Sequence, residues 1–155
     1  MTTDPLVSFV VPAHNEEALL GQCLAAISAE AKRAGYPCEI IVVDNASTDA
    51  TRNIAASVPG VIIVDEPVKG LVQARRAGYL ATKGRLIANI DADTMLPEGW
   101  LDIAVGAFDR HPDLVALSGP YIYYDISRAA RLTCDVFYRV AFLFYVLVRF
   151  VMRAG

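Results

Sequence analysis

Residues 6–17 read Leu-Val-Ser-Phe-Val-Val-Pro-Ala-His-Asn-Glu-Glu. The run from Leu6 to Val11 is apolar, largely β-branched and closed by Pro12, the composition of a strand buried on both faces. The polar group directly after it belongs to a loop that opens a helix. The same pattern returns at Glu39–Val43, ending at Asp44, at Val61–Val64, and at Arg85–Ile90, ending at Asp91. Helical patterns lie between. Asn15, Glu16 and Glu17 supply an N-cap and first-turn acids for a helix whose apolar face is Leu19, Leu20, Cys23, Leu24 and Ile27, stopped by Gly35 and Pro37. Ser47 and Asp49 can cap a short helix to about Val58, and Gly70–Thr82 reads as helical. Pro97 opens another helix with Leu101, Val105 and Phe108 on one side, and Leu114–Ser118 reads as a further strand. Strands alternating with helices predict an α/β fold, a mostly parallel sheet with helices on both faces.

The 155 residues suit one ordinary domain. With 55% hydrophobic and 20% charged residues the chain is not of the disordered class, and a mean hydropathy of +0.39 points to a membrane-facing surface. A net charge of −3 argues against a partner bound through overall basicity, so no nucleic acid is expected. Cys23, Cys38 and Cys134 show no CxxC spacing and cannot all pair, which favours a reducing compartment, with Cys23 and Cys38 as core fillers. Residues 1–125 hold nine Lys/Arg against sixteen Asp/Glu, a net of −7, whereas residues 126–155 hold five Arg against Asp135, a net of +4. The division predicts an acidic domain over 1–125 and a basic, apolar helix over 126–155. The opening residues, polar and carrying Asp4, do not read as a signal peptide.

In a parallel sheet, ligands bind beyond the carboxyl ends of the strands, and three polar clusters fall there. Asp91-Ala92-Asp93 follows a buried strand, so a turn can aim both carboxylates at one hard cation, Mg²⁺ or Mn²⁺. The alternative is an acidic turn capping the next segment. Asp44-Asn45 can accept from a base N–H or a ribose hydroxyl, with Ser47, Thr48 and Asp49 left to cap a helix. At Pro12–Glu17, the backbone around Ala13 and the Glu16 carboxylate can face the same cleft; the competing role for Glu16 and Glu17 is stabilising a helix N-terminus. His14 reads as an exposed or packed ring without a visible partner, and His111 carries no role. Gly70, beside Lys69, permits close backbone approach, and Arg75 or Arg76 can pair with phosphate from the first turns of the next helix; the competing role, a solvated basic face, accounts for one of the two.

Four stretches together resemble a family-2 glycosyltransferase of the GT-A fold. They are Val7–Glu17 (VSFVVPAHNEE), Glu39–Thr51 (EIIVVDNASTDAT), Lys69–Gly84 (KGLVQARRAGYLATKG) and Leu86–Leu101 (LIANIDADTMLPEGWL), in matching order over roughly the first 120 residues. The resemblance implies a UDP- or GDP-linked sugar donor, a divalent metal and an inverting displacement by an acceptor hydroxyl. It also implies that Pro12, Ala13, Asn15 and Glu16 line a nucleoside pocket, that Asp44 reads the base, and that Lys69, Gly70 and Arg75 flank the donor. Asp91 would hold ribose or sugar and Asp93 the metal, with Ala92 between them. Asn45 stands where many relatives carry a second Asp.

Relatives of this kind continue into an acceptor-binding half that supplies an acidic general base. Here Asp125 and Asp135 are the only later carboxylates and neither sits in a matching motif, so the expectation is a donor-binding piece whose base lies outside it. Val136–Met152 is apolar apart from Arg139 and Arg149, and as a helix falls short of a roughly 30 Å hydrocarbon core. On a helical wheel Arg128, Arg131, Asp135, Arg139, Arg149 and Arg153 fall within about 80°, interrupted by Phe142 and Val146. That fits a helix lying in an anionic membrane interface near a lipid-linked acceptor, at the inner face of a cytoplasmic membrane. Packing against another protein segment, or a second copy, is the alternative. Two enzyme classes fit poorly: a haloacid-dehalogenase-type phosphatase wants Thr or Val where Met95 stands, and a dinucleotide oxidoreductase wants GxGxxG where Pro-Ala-His-Asn-Glu-Glu stands. A nucleotide-sugar-binding or membrane-docking module without catalysis remains as the non-enzyme reading.

Overall fold

The structure is a computed structural model that describes residues 4–119 and 127–154, with side chains to Phe150. The chain divides into two compact units, residues 1–113 and 114–155. The expected boundary at residues 125 and 126, and Asp125 itself, lie outside the described residues.

In the first unit, strands β1 (Val7–Ala13), β2 (Cys38–Asp44), β3 (Val61–Asp65) and β4 (Leu86–Asn89) form one sheet in the order β3-β2-β1-β4. Every pairing is parallel. Val7 is opposite Cys38 on one side and Leu86 on the other, and β2 meets β3 from Ile40↔Val61 to Asp44↔Asp65. The central β1 is buried along its whole length, as its continuous apolar run requires.

Alternation along the strands divides the core in two. Val7, Phe9, Val11 and Ala13 pack with Leu20, Cys23, Leu24 and Ile27 of α1 (Leu20–Ala34), Ala55 of α2 (Thr51–Ser57), and Leu101 and Val105 of α4 (Trp100–Arg110). On the other face Val10, Ile41 and Val43 pack against Ala74 of α3 (Leu71–Ala81). Helices therefore cover both faces, as the sequence pattern predicts. Gly78 lets α3 sit close to the sheet: a Cβ there would collide with Val10 Cγ1 and lie 3.0 Å from Val43 Cγ2.

One polar group locks α1 to α4. Glu30, buried on the apolar side of α1, accepts Arg33 Nε at 2.7 Å, the Leu101 N–H at 2.9 Å and the Gly99 N–H at 3.1 Å. Its carboxylate thus satisfies amides at the α4 N-terminus that the helix itself leaves open. The Arg33 hydrogen bond outweighs the effect of burial and, helped by the Leu101 and Gly99 amides, holds the carboxyl down to about 2.

Two sequence expectations need correction. Helix α1 begins at Leu20, not near Asn15, because the polar groups of Asn15, Glu16 and Glu17 bond a neighbouring loop (below) and Asn15 adopts a left-handed φ of 56°. Residues 114–118 form no strand; Val115 is 96% exposed, so the run has no face to bury.

Helix α5 (Arg128–Ala154), in the second unit, is 27 residues long. Ser127 Oγ accepts the Ala130 N–H at 3.2 Å at its start, and Arg139 donates to Asp135 at 3.0 Å one turn back. Among the described residues no helix is long and apolar enough to cross a membrane.

Candidate functional site

At the carboxyl ends of the strands lies a cavity of about 350 Å³. Its walls come from the loop after β1 (Pro12, Ala13, His14, Glu16), the end of β2 (Asn45), the entry to α3 (Lys69, Gly70, Leu71, Ala74) and the loop after β4 (Asp91, Ala92, Asp93). Nine of the residues singled out from sequence therefore share one cavity: Pro12, Ala13, Glu16, Asn45, Lys69, Gly70, Asp91, Ala92 and Asp93.

Three others do not line it. The Asn15 side-chain carbonyl accepts the Thr48 N–H at 2.8 Å, a structural engagement in the neighbouring loop. Asp44 is buried, with Oδ1 accepting the Ser47 N–H at 3.3 Å. Arg75 reaches the site through a neighbour, its Nη2 donating to Asp91 Oδ1 at 3.0 Å. His14, Leu71 and Ala74 line the cavity without having been expected there.

The loops are stitched to each other. Asn15 N–H donates to Ser47 Oγ at 3.2 Å, Glu16 N–H to Thr51 Oγ1 at 2.8 Å, and Glu17 N–H to Asp49 Oδ2 at 3.1 Å. In return the Glu17 carboxylate accepts the Ala50 N–H at 3.0 Å, so it serves the start of α2 rather than α1. Asp49 Oδ1 accepts the Thr51 N–H at 2.9 Å, but Ala50 occupies the cap position of α2 without a side-chain cap and Ser47 is engaged by Asn15, so the capping expected of Ser47 and Asp49 is not formed.

Asn45 fixes the third wall. Its Nδ2 donates to the Glu66 carbonyl at 3.0 Å and the Val68 carbonyl at 2.8 Å, and its Oδ1 accepts the Gly70 N–H at 2.7 Å. Gly70 has φ 148° and ψ 140°, a region that side chains other than glycine's avoid. The carboxamide is fully used in holding this bend, which explains why an amide stands there. His14, for which sequence shows no partner, has Nδ1 2.8 Å from the Asn45 carbonyl oxygen. A carbonyl only accepts, so Nδ1 carries a proton.

The cavity is acidic at one end. Burial, then the charges of Asp93 and Asp49, raise the Glu16 carboxyl above its ordinary range. Beneath the Asp91 loop, Cys23 of α1 donates its thiol to the Asp91 carbonyl at 3.6 Å, and burial above all pushes that thiol up to about 12. Cys23 is a packing residue. Among the described residues no group of three or more His, Cys, Asp or Glu is placed to hold a metal ion. Two carboxylates on one wall nevertheless fit a magnesium-like ion, which takes one or two protein carboxylates and completes its shell with water and substrate phosphate.

Comparison with known proteins agrees with this architecture. S. aureus TarS (residues 1–349) superposes with a TM-score of 0.62 over 77% of this chain and 40% of that one, at 19% identity, a likeness of fold. The mannosyltransferase PcManGT from Pyrobaculum calidifontis, in complex with GDP-Man and Mn²⁺, gives 0.52 at 31% identity over 62% of this chain and 30% of that one. The uncharacterized glycosyltransferase Rv0539 of Mycobacterium tuberculosis is 42% identical over 109 residues, 70% of this chain and 46% of the relative. The chain thus spans less than half the length of that relative. Residues 8–149 match the family described as Glycosyl transferase family 2. With the parallel α/β sheet of the GT-A fold and a match running through nearly its whole length, this chain belongs to glycosyl transferase family 2.

Proposed function

We propose that this chain is the donor-binding part of an inverting, metal-dependent glycosyltransferase, one that moves a sugar from a nucleoside diphosphate sugar to an acceptor hydroxyl at the cytosolic face of a membrane. The observation that carries the reading is the meeting of four loop segments, from β1, β2, β4 and the entry to α3, around one acidic cavity. A protein of similar fold, PcManGT, holds GDP-Man and Mn²⁺.

Each wall then has a task. Pro12, Ala13 and Glu16 receive the nucleoside, with Asp44 behind them at the end of β2 as the reader of the base. Lys69 and Arg75 bring positive charge to the diphosphate, and Gly70 admits it close to the backbone. Asp91 and Asp93 hold the cation, Mg²⁺ or Mn²⁺, which when bound supplies charge neutralisation of the leaving diphosphate. In the transfer the acceptor oxygen bonds to the anomeric carbon as the bond to the diphosphate oxygen breaks, and the hydroxyl proton passes to a base assigned to no residue described here.

Calorimetric titration with UDP, GDP and their sugars, with and without Mn²⁺, tests the reading. Saturable binding that requires Mn²⁺ is expected, with slow metal-dependent hydrolysis of the bound donor. Binding without any turnover assigns the chain to a non-catalytic donor-binding module; no binding of any nucleotide overturns the proposal.

A further inference from the structure

We infer that α5 is a docking surface for an anionic lipid bilayer, lying in the plane of its headgroups. Arg128, Arg131, Arg139 and Arg149 fall on one stripe within about 80° of the helix circumference, together with Asp135, which pairs with Arg139, and with Phe142 and Val146 interrupting it. Away from the stripe, Val136, Phe137, Val140, Phe144 and Leu147 are each more than half exposed, and Phe150 lies at the edge beside Arg139. Tyr138 and Tyr145 sit on the border beside the arginines, where an amphipathic ring with a polar tip belongs. The apolar arc spans roughly 220° of the wheel, far wider than the seam two packed helices share, so a second copy would leave most of it in water. No 18-residue window of the described helix is apolar enough to span a bilayer. A shallow apolar layer bordered by headgroup phosphates takes both faces at once. Charge selects the lipid: residues 126–155 carry a net +4 while residues 1–125 carry −7, so the net positive charge that an anionic surface attracts lies in the segment that holds this helix.

The inference rests on the membrane-facing part of the proposed function and on nothing in the donor cavity. The test is co-sedimentation of the full 155-residue chain with phosphatidylcholine vesicles and with vesicles containing 30% phosphatidylglycerol, at low and high salt. Binding is expected to need the anionic lipid and to weaken with salt. The double variant Arg139→Gln/Arg149→Gln should lower it roughly 25-fold, at about fivefold per arginine, and Phe144→Asp should lower it on the apolar side. Circular dichroism confirms that each variant keeps its helix, and UDP titration of the same variants is expected to match the parent. Equal binding to both vesicle types, binding unmoved by the arginine variant, or self-association in place of vesicle binding overturns the inference. Loss of UDP binding by the parent with vesicle binding intact counts against the donor reading alone.

Discussion

The Asn45 carboxamide and the Gly70 amide form a 2.7 Å hydrogen bond that pins the entry of α3 to the end of β2. The same carboxamide donates to the carbonyls of Glu66 and Val68. Replacing it with a carboxylate removes both donors and sets negative charge against two carbonyl oxygens. Asn45→Asp is expected to cost roughly 2 kcal/mol of stability and to weaken UDP binding at least tenfold. Urea unfolding and calorimetry on one preparation check both; an unchanged unfolding midpoint would show that the bend holds without the amide.

Asp93→Ala should abolish the Mn²⁺ dependence of nucleotide binding. The side chain is exposed and outside both cores, so the fold should persist. Calorimetry with and without Mn²⁺, beside a circular dichroism melt, separates the two effects. Metal-dependent affinity equal to the parent's would remove Asp93 from the cation site.

Arg75 and Asp91 form an ion pair in which each side chain is close to half exposed, at 44% and 46%. Such pairs add less than about 1 kcal/mol to folding. Arg75→Gln is therefore expected to leave the melting temperature almost unchanged while lowering UDP affinity about tenfold, the loss of one charge-assisted phosphate contact. A large drop in stability with intact affinity would assign Arg75 to the scaffold.

Glu30 makes stability depend on acid. Its folded carboxyl is held down to about 2, below the ordinary carboxylate value of 4.5, so the folded state binds the proton less readily than the unfolded chain does. Its contribution is fully present above about pH 5 and is lost as pH falls toward 2, a change of about 2–3 kcal/mol at most. Glu30→Gln should flatten that slope and lower stability at neutral pH, read from urea midpoints across pH 2–7.

Gly78→Ala tests how tightly α3 is pressed to the sheet. The new methyl would meet Val10 and Val43, both fully buried. A loss of roughly 1–3 kcal/mol is expected from overpacking. A neutral result would show that α3 can lift away without cost.

Much of this was legible because β-branched runs ending in polar residues mark buried parallel strands, and helices follow from apolar spacing. All four strands of the sheet fall where Leu6–Val11, Glu39–Val43, Val61–Val64 and Arg85–Ile90 place them, to within a few residues. Seven of the nine cavity residues followed from strand-end position, and Lys69 and Gly70 from the glycine that opens the next helix. What stayed hidden depends on partners distant in the chain. Glu30 looks like an ordinary surface acid until Gly99 and Leu101 arrive about 70 positions later. His14 has no partner in sequence because that partner is a backbone carbonyl at residue 45. Asn15 has the composition of a helix cap, yet its side chain finds the Thr48 amide first, so the helix starts later.

The position of β1 at the middle of the sheet has a consequence for biosynthesis. Of the four strands of the sheet the ribosome releases β1 before the others, yet its two neighbours are β2 and β4, and the second is complete only once Asn89 has emerged. Until then a nascent chain carries a greasy ribbon with at least one unsatisfied side, the kind of surface that recruits other strands and calls for chaperone shelter.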